Sequence, residues 1–169
     1  MDIQTSKEAF LQIDRAPAEG CRERDRDMLT LAHALTIAME TLAEGRRRGF
    51  APLACVVLDR GGHTLSLLRD ENASIYRPEI AIGKAAGCLG MGFGGRELAK
   101  RAAAMPMFFN GLQAAFPQGM LPVPGGVLIR DADGALLGAV GVTGDTSDND
   151  EICALAGIAA TGLVADTGA

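Results

Sequence analysis

The sequence predicts an α+β domain in which an antiparallel sheet packs against helices, and three observations carry that expectation. Two pairs of apolar segments read as β-hairpins, 53–58 with 63–69 and 127–130 with 135–142, joined by the turn sequences Asp59-Arg60-Gly61-Gly62 and Asp131-Ala132-Asp133-Gly134. Helical patterns separate the hairpins instead of alternating with single strands, which argues against a parallel βαβ sheet. The segment 53–58 (Leu-Ala-Cys-Val-Val-Leu) is apolar at every position, so both of its faces need cover. A second helical layer or another subunit would supply it, and the small size of the domain favours an oligomer.

The elements follow in order. Residues 1–28 end in the charge run Cys21 to Asp27, show no sustained apolar period and read as an N-terminal arm or extension; a single domain is expected over 29–169. Thr30 caps a helix in which Met28, Ala32, Leu35, Met39 and Leu42 form an apolar stripe, ended by Gly45 and Arg46-Arg47-Arg48. Pro78 opens a second helix to about Leu89. The glycine run 90–95 breaks it, and helical stretches follow from Arg96 to Ala104 and from Pro106 through Phe108, Leu112 and Phe116. A last helix is expected from Ser147 to Val164, with capping-box patterns Ser147-x-x-Asp150 and Asp148-x-x-Glu151.

Composition excludes several function classes. With 169 residues, 48% hydrophobic and a net charge of −5, the chain fits one globular domain that needs no disulfide or metal staple. The acidic balance and the absence of Trp leave no basic footprint or stacking platform for nucleic acid. No apolar run is long enough for a membrane span and no leader pattern follows Met1, so a cytoplasmic protein is expected. The four cysteines are too widely spaced for zinc and read as buried thiols; no metal site is expected. The run 90–95 follows a helix, not a strand, which disqualifies it as a dinucleotide loop. The acidic cluster 145–151 lacks the glycine and terminal glutamate of a calcium loop and reads as helix capping.

The remaining candidates are a few polar residues. His33 falls in the first turn of a helix, away from the apolar stripe, where a neutral imidazole is favoured over a cation. His63 directly follows Gly61-Gly62. Glycines 138 and 141 interrupt a strand, where a backbone or ligand approaches closely, and Gly125-Gly126 offers successive N–H groups to an anion. Lys84 is the lone cation of an apolar helix, Ile80 to Ala86. Together Lys84, Gly125, Gly126 and Gly141 suggest a pocket for a small anionic or carboxylate-bearing ligand.

Three blocks, VVLDRGGHTLSLLRDENAS, IAIGKAAG and PVPGGVLIRDADGALLGAVGVTGDTSDNDEICALAG, resemble the GlcG/HbpS-like family of haem-binding and haem-degrading proteins, which includes the C-terminal domain of PduO-like enzymes. The resemblance spans 29 to about 166 and implies a profilin-like or PAS-like fold, an antiparallel sheet of about five strands flanked by helices, and dimers that build larger assemblies. Asp59, Gly61, Gly62, His63 and Arg69 fall on the first block, Lys84 on the second, and Gly125, Gly126, Gly138, Gly141, Gly144 and Asp150 on the third. Leu128 and Thr143 depart from the common Pro and Ser.

The expected function is therefore an oligomeric, cytoplasmic small-molecule-binding protein with haem or another tetrapyrrole as leading ligand and an accessory role in small organic acid metabolism. If haem binds, His33 or His63 would ligate the iron, or a non-histidine ligand would. The alternative is an enzyme on a small carboxylate-bearing metabolite, with Lys84 and Arg69 as anion clamp and His63 or Asp59 as general base.

Overall fold

The computed structural model describes residues 28–116 and 119–169, apart from the side chain of Gln113, so the arm expected over 1–28 lies outside the described residues except for Met28. In order come α1 (Leu31–Arg48), β1 (Ala54–Asp59), β2 (Thr64–Arg69), α2 (Arg77–Met91), α3 (Gly95–Ala104), α4 (Pro106–Leu112), a 3-10 turn, β3 (Gly126–Arg130), β4 (Leu136–Thr143), α5 (Ser147–Ala159) and β5 (Val164–Asp166). The strands form one sheet in the order β2-β1-β4-β3-β5, with every neighbouring pair antiparallel. The architecture is α+β.

β1 explains the two-layered core. Its side chains alternate, so Cys55 and Val57 face α1 and α5 in one apolar cluster, while Val56 and Leu58 face Ala81 and Ala85 of α2 in another. Helices of the same chain therefore cover both faces: of the two alternatives, a second helical layer shields this strand, and the subunit that the small size of the domain favoured is not needed for it. Three buried free thiols sit in these clusters, Cys55 and Cys153 on the α1–α5 side and Cys88 on the α2 side.

Thr30 caps α1 by accepting the His33 N–H at 3.1 Å, and Gly49 ends it at φ +70° after three basic residues. The helix is rotated from the expected orientation. Its buried face carries Ala34, Ile37, Ala38, Thr41, Leu42 and Gly45, while Met28, Leu31, Leu35 and Met39 are exposed. The cause is close approach: at Gly157 of α5 any Cβ would overlap Thr41 Oγ1, so α1 offers its small residues to α5 and its large ones elsewhere.

Two further expectations change. α5 stops at Ala159 and the chain turns at Gly162 (φ +75°) into β5, which Arg130 Nε holds through Asp166 Oδ2 at 2.9 Å. The α5 cap is Thr146, whose hydroxyl accepts from Asn149 N; neither capping box forms, because Asp150 and Glu151 are engaged elsewhere.

Candidate functional site

The small residues of the Ile80 to Gly87 segment let α2 lie directly on the sheet. A Cβ at Gly141 would overlap the Ala81 carbonyl oxygen; one at Gly126 would come within 2.7 Å of Cys88 Sγ and 2.8 Å of Lys84 O. Gly125, at φ +96°, leaves the space beside Lys84 Nζ that a side chain would fill. These glycines admit a helix. Lys84 is consequently 3% exposed, and its ammonium donates to Val142 O at 2.9 Å and to Asp150 Oδ2 at 2.8 Å.

Asp150 lies in the first turn of α5, where its other oxygen accepts the Asp145 N–H at 3.1 Å. Burial pushes the Lys84 pKa down and the Asp150 pKa up, and the attraction between the two charges opposes both shifts. The anion expected from an external ligand is thus a carboxylate of the chain itself. That corrects the reading of Lys84, Gly125, Gly126 and Gly141 as a ligand pocket: the geometry is that of a packed ion pair.

The rest of the acidic run is equally committed. Asp145 accepts from Ala51 N, Thr146 N and Asn149 Nδ2 at 2.7–2.8 Å, which holds its carboxyl below the usual value. Arg96 forks between Glu151 and Asp148, both at 2.6 Å. Arg77 donates to Thr143 Oγ1 at 2.8 Å. Among the described residues no group of His, Cys, Asp and Glu is arranged to hold a metal ion.

Asp59, His33 and His63 occupy the opposite end of the sheet. Asp59 Oδ1 accepts the N–H groups of Gly61 and His63 at 2.8 and 2.9 Å, and His63 Nδ1 lies 3.3 Å from Oδ2. Partial burial raises the Asp59 pKa, but the His63 and Gly61 N–H groups and the imidazole outweigh it and leave it lowered. His63, 81% exposed, completes a turn. His33 differs, because its Nδ1 is buried and has no hydrogen-bond partner among the described residues.

Arg69 places its guanidinium on the carbonyls of Ala73 and Glu71, ordering the β2–α2 loop. Asp59 pairs with Gly138, whereas Cys55 pairs with Val142, the residue that accepts from Lys84. At ~3.3 Å per residue those positions are roughly 13 Å apart. The expected combination of a Lys84–Arg69 clamp with an Asp59 or His63 base on one small metabolite is therefore not assembled.

Sequence reasoning missed Asp150 as the partner of Lys84. The signal was available as charge parity, a lone lysine in one apolar block and an acid at the start of another. It also missed a cleft of about 400 Å3 between α2 and the 119–121 loop, lined by Tyr76, Glu79, Ile80, Gly83, Met120 and Leu121.

One antiparallel sheet, helices on both faces and ionisable groups largely spent on the fold define a profilin-like α+β domain. The chain belongs to the haem degrading protein HbpS-like family, whose model matches residues 29–159. HbpS of Streptomyces reticuli, solved as a double mutant, is 32% identical with a TM-score of 0.67, over 78% of this chain and 86% of that one. The Klebsiella pneumoniae protein ORFY is 27% identical, TM-score 0.68, over 79% and 90%. A PduOC:heme complex shares the fold at 20% identity, TM-score 0.72, over 81% and 97%. No curated protein matches the chain in sequence.

Proposed function

We propose that the protein is an oligomeric, cytoplasmic binder of haem or another tetrapyrrole, with His33 as the axial ligand. The carrying observation is the His33 ring: its Nδ1 has no partner among the described residues, in contrast to His63, whose Nδ1 faces Asp59. Bound haem would supply a redox-active iron, and the chain would supply the imidazole from the first turn of α1.

The haem-related relatives support this reading. Three free thiols among the described residues fit a reducing compartment, and no described helix is long and apolar enough to cross a membrane.

Titration with ferric haem, followed in the Soret band, tests the proposal. Wild type is expected to give a saturable shift, His63→Ala the same shift, and His33→Ala an altered spectrum with affinity weakened about tenfold or more. No saturable shift in wild type would remove the haem reading. A His33→Ala spectrum and affinity identical to wild type would remove the ligand assignment alone.

A further inference from the structure

The cleft between α2 and the 119–121 loop is the open end of a packed helix face. Tyr76, Ile80, Gly83, Gly87 and Gly90 recur at steps of four and three, so they line one side of α2. The chain returning from α4 lies against the glycine half of that side. A Cβ at Gly90 would overlap the Phe116 ring, one at Gly87 would come within 2.8 Å of Met120 Cγ, and one at Gly83 within 3.3 Å of Leu121 Cδ1. At Leu121 the contact ends. Its N–H donates to the Gly83 carbonyl at 3.0 Å, its carbonyl accepts from Val123 N at 2.9 Å, and the chain departs towards β3. The helix face runs on as Ile80 and Tyr76, and the step between helix and loop encloses about 400 Å3. Small-molecule sites typically hold about 300–1,000 Å3.

The chemistry of the lining selects a class of ligand. Ile80, Met120 and Leu121 supply apolar side chains, and the polar side chains of the lining are those of Tyr76 and Glu79. Glu79 is exposed and carries the only formal charge among the described lining residues. The neighbouring cation is engaged elsewhere, since Arg77 donates to Thr143 Oγ1 on β4. Glu79 stands in the first turn of α2, where the helix dipole amounts to about half a positive charge; the full negative charge of the carboxylate outweighs it. A cation is therefore favoured over an anion. The Tyr76 ring, 68% exposed, adds an aromatic face of the kind that attracts ammonium groups.

We propose that this cleft binds a small organic ammonium ion with an apolar body, its ammonium group against Glu79 and the Tyr76 ring and its body against Ile80, Met120 and Leu121. The site is separate from the one assigned to haem, because α2 covers one face of β1 and α1, which carries His33, covers the other. The inference goes beyond the haem reading and stands without it.

Titration of the isotope-labelled protein at neutral pH with phenethylammonium, followed through the backbone amide NMR signals of Ile80, Gly83 and Leu121, tests the site. Wild type is expected to show saturable shifts of these signals. Hydrocinnamate, which has the same phenylethyl body and the opposite charge, is expected to bind about tenfold more weakly. Glu79→Gln preserves the size of an exposed side chain. It is expected to weaken phenethylammonium about threefold or more and to abolish the preference over hydrocinnamate. His33→Ala is expected to bind phenethylammonium as wild type does, so the haem reading can fail while this one stands. Absence of saturable shifts at the three amides would overturn the proposal, as would equal affinity for the two probes or a preference that persists in Glu79→Gln. Loss of the shifts in folded His33→Ala would overturn it as well, by placing the amine on the other face of the sheet.

Discussion

Lys84 of α2 and Asp150 of α5 join the two helical layers around the end of the sheet, 2.8 Å apart and each almost fully buried. α2 covers one face and α5 the other, so the contact spans both apolar clusters. Asp150 has the further advantage of the N-terminal turn of α5, where the helix dipole favours a carboxylate.

Removing one partner strands the other. Lys84→Met keeps the stem but leaves Asp150 buried and unpaired, and chemical denaturation is expected to show a loss of about 3–5 kcal/mol. The double variant Lys84→Met, Asp150→Leu is expected to recover most of that loss. If the double variant is as unstable as the single one, the ion pair is not what sets the cost.

The approach of α2 to β4 depends on a missing side chain. In Gly141→Ala the new methyl group would meet the Ala81 carbonyl, a backbone atom that cannot turn aside, so the helix must shift. A loss of about 1–3 kcal/mol is expected. Gly111→Ala, in α4 with open space around it, is expected to gain about 0.5–1 kcal/mol. Equal effects from the two substitutions would discount the packing argument.

Asp145 sets an acid sensitivity. N–H groups of Ala51, Thr146 and Asn149 hold its carboxyl below the usual 3.8. A lowered value in the folded state stabilises above the unfolded value, and that stabilisation disappears as pH falls through the folded one. Thermal melts from about pH 5 down to about pH 2 should therefore show a steeper decline for wild type than for Asp145→Asn. Parallel declines would mean that other carboxyls govern the acid limb.

The fold class was legible because its signals are local. The hairpins announce themselves through Asp59–Gly62 and Asp131–Gly134, and the capped start of α1 through Thr30. The rotation of α1 was not legible, since Leu35 and Met39 look more core-like than Ala34 and Ala38, and only the contact at Gly157 decides between them. β5 escaped because three residues carry no period. At the site, the oddity of Lys84 was readable in its own helix, but its partner lies 66 residues away, and no local pattern reports that distance. His63 looked functional for the same reason that it is a turn residue: it follows two glycines.

The placement of the thiols turns them into separate clocks for the two layers. Burial raises Cys55 and Cys88 to about 12 and Cys153 to about 11, so at neutral pH each is almost entirely the unreactive thiol. Alkylation must wait until the surrounding structure opens. Modification of Cys88 then times the lifting of α2, and modification of Cys55 and Cys153 times the parting of α1 and α5 from the other face of the same sheet.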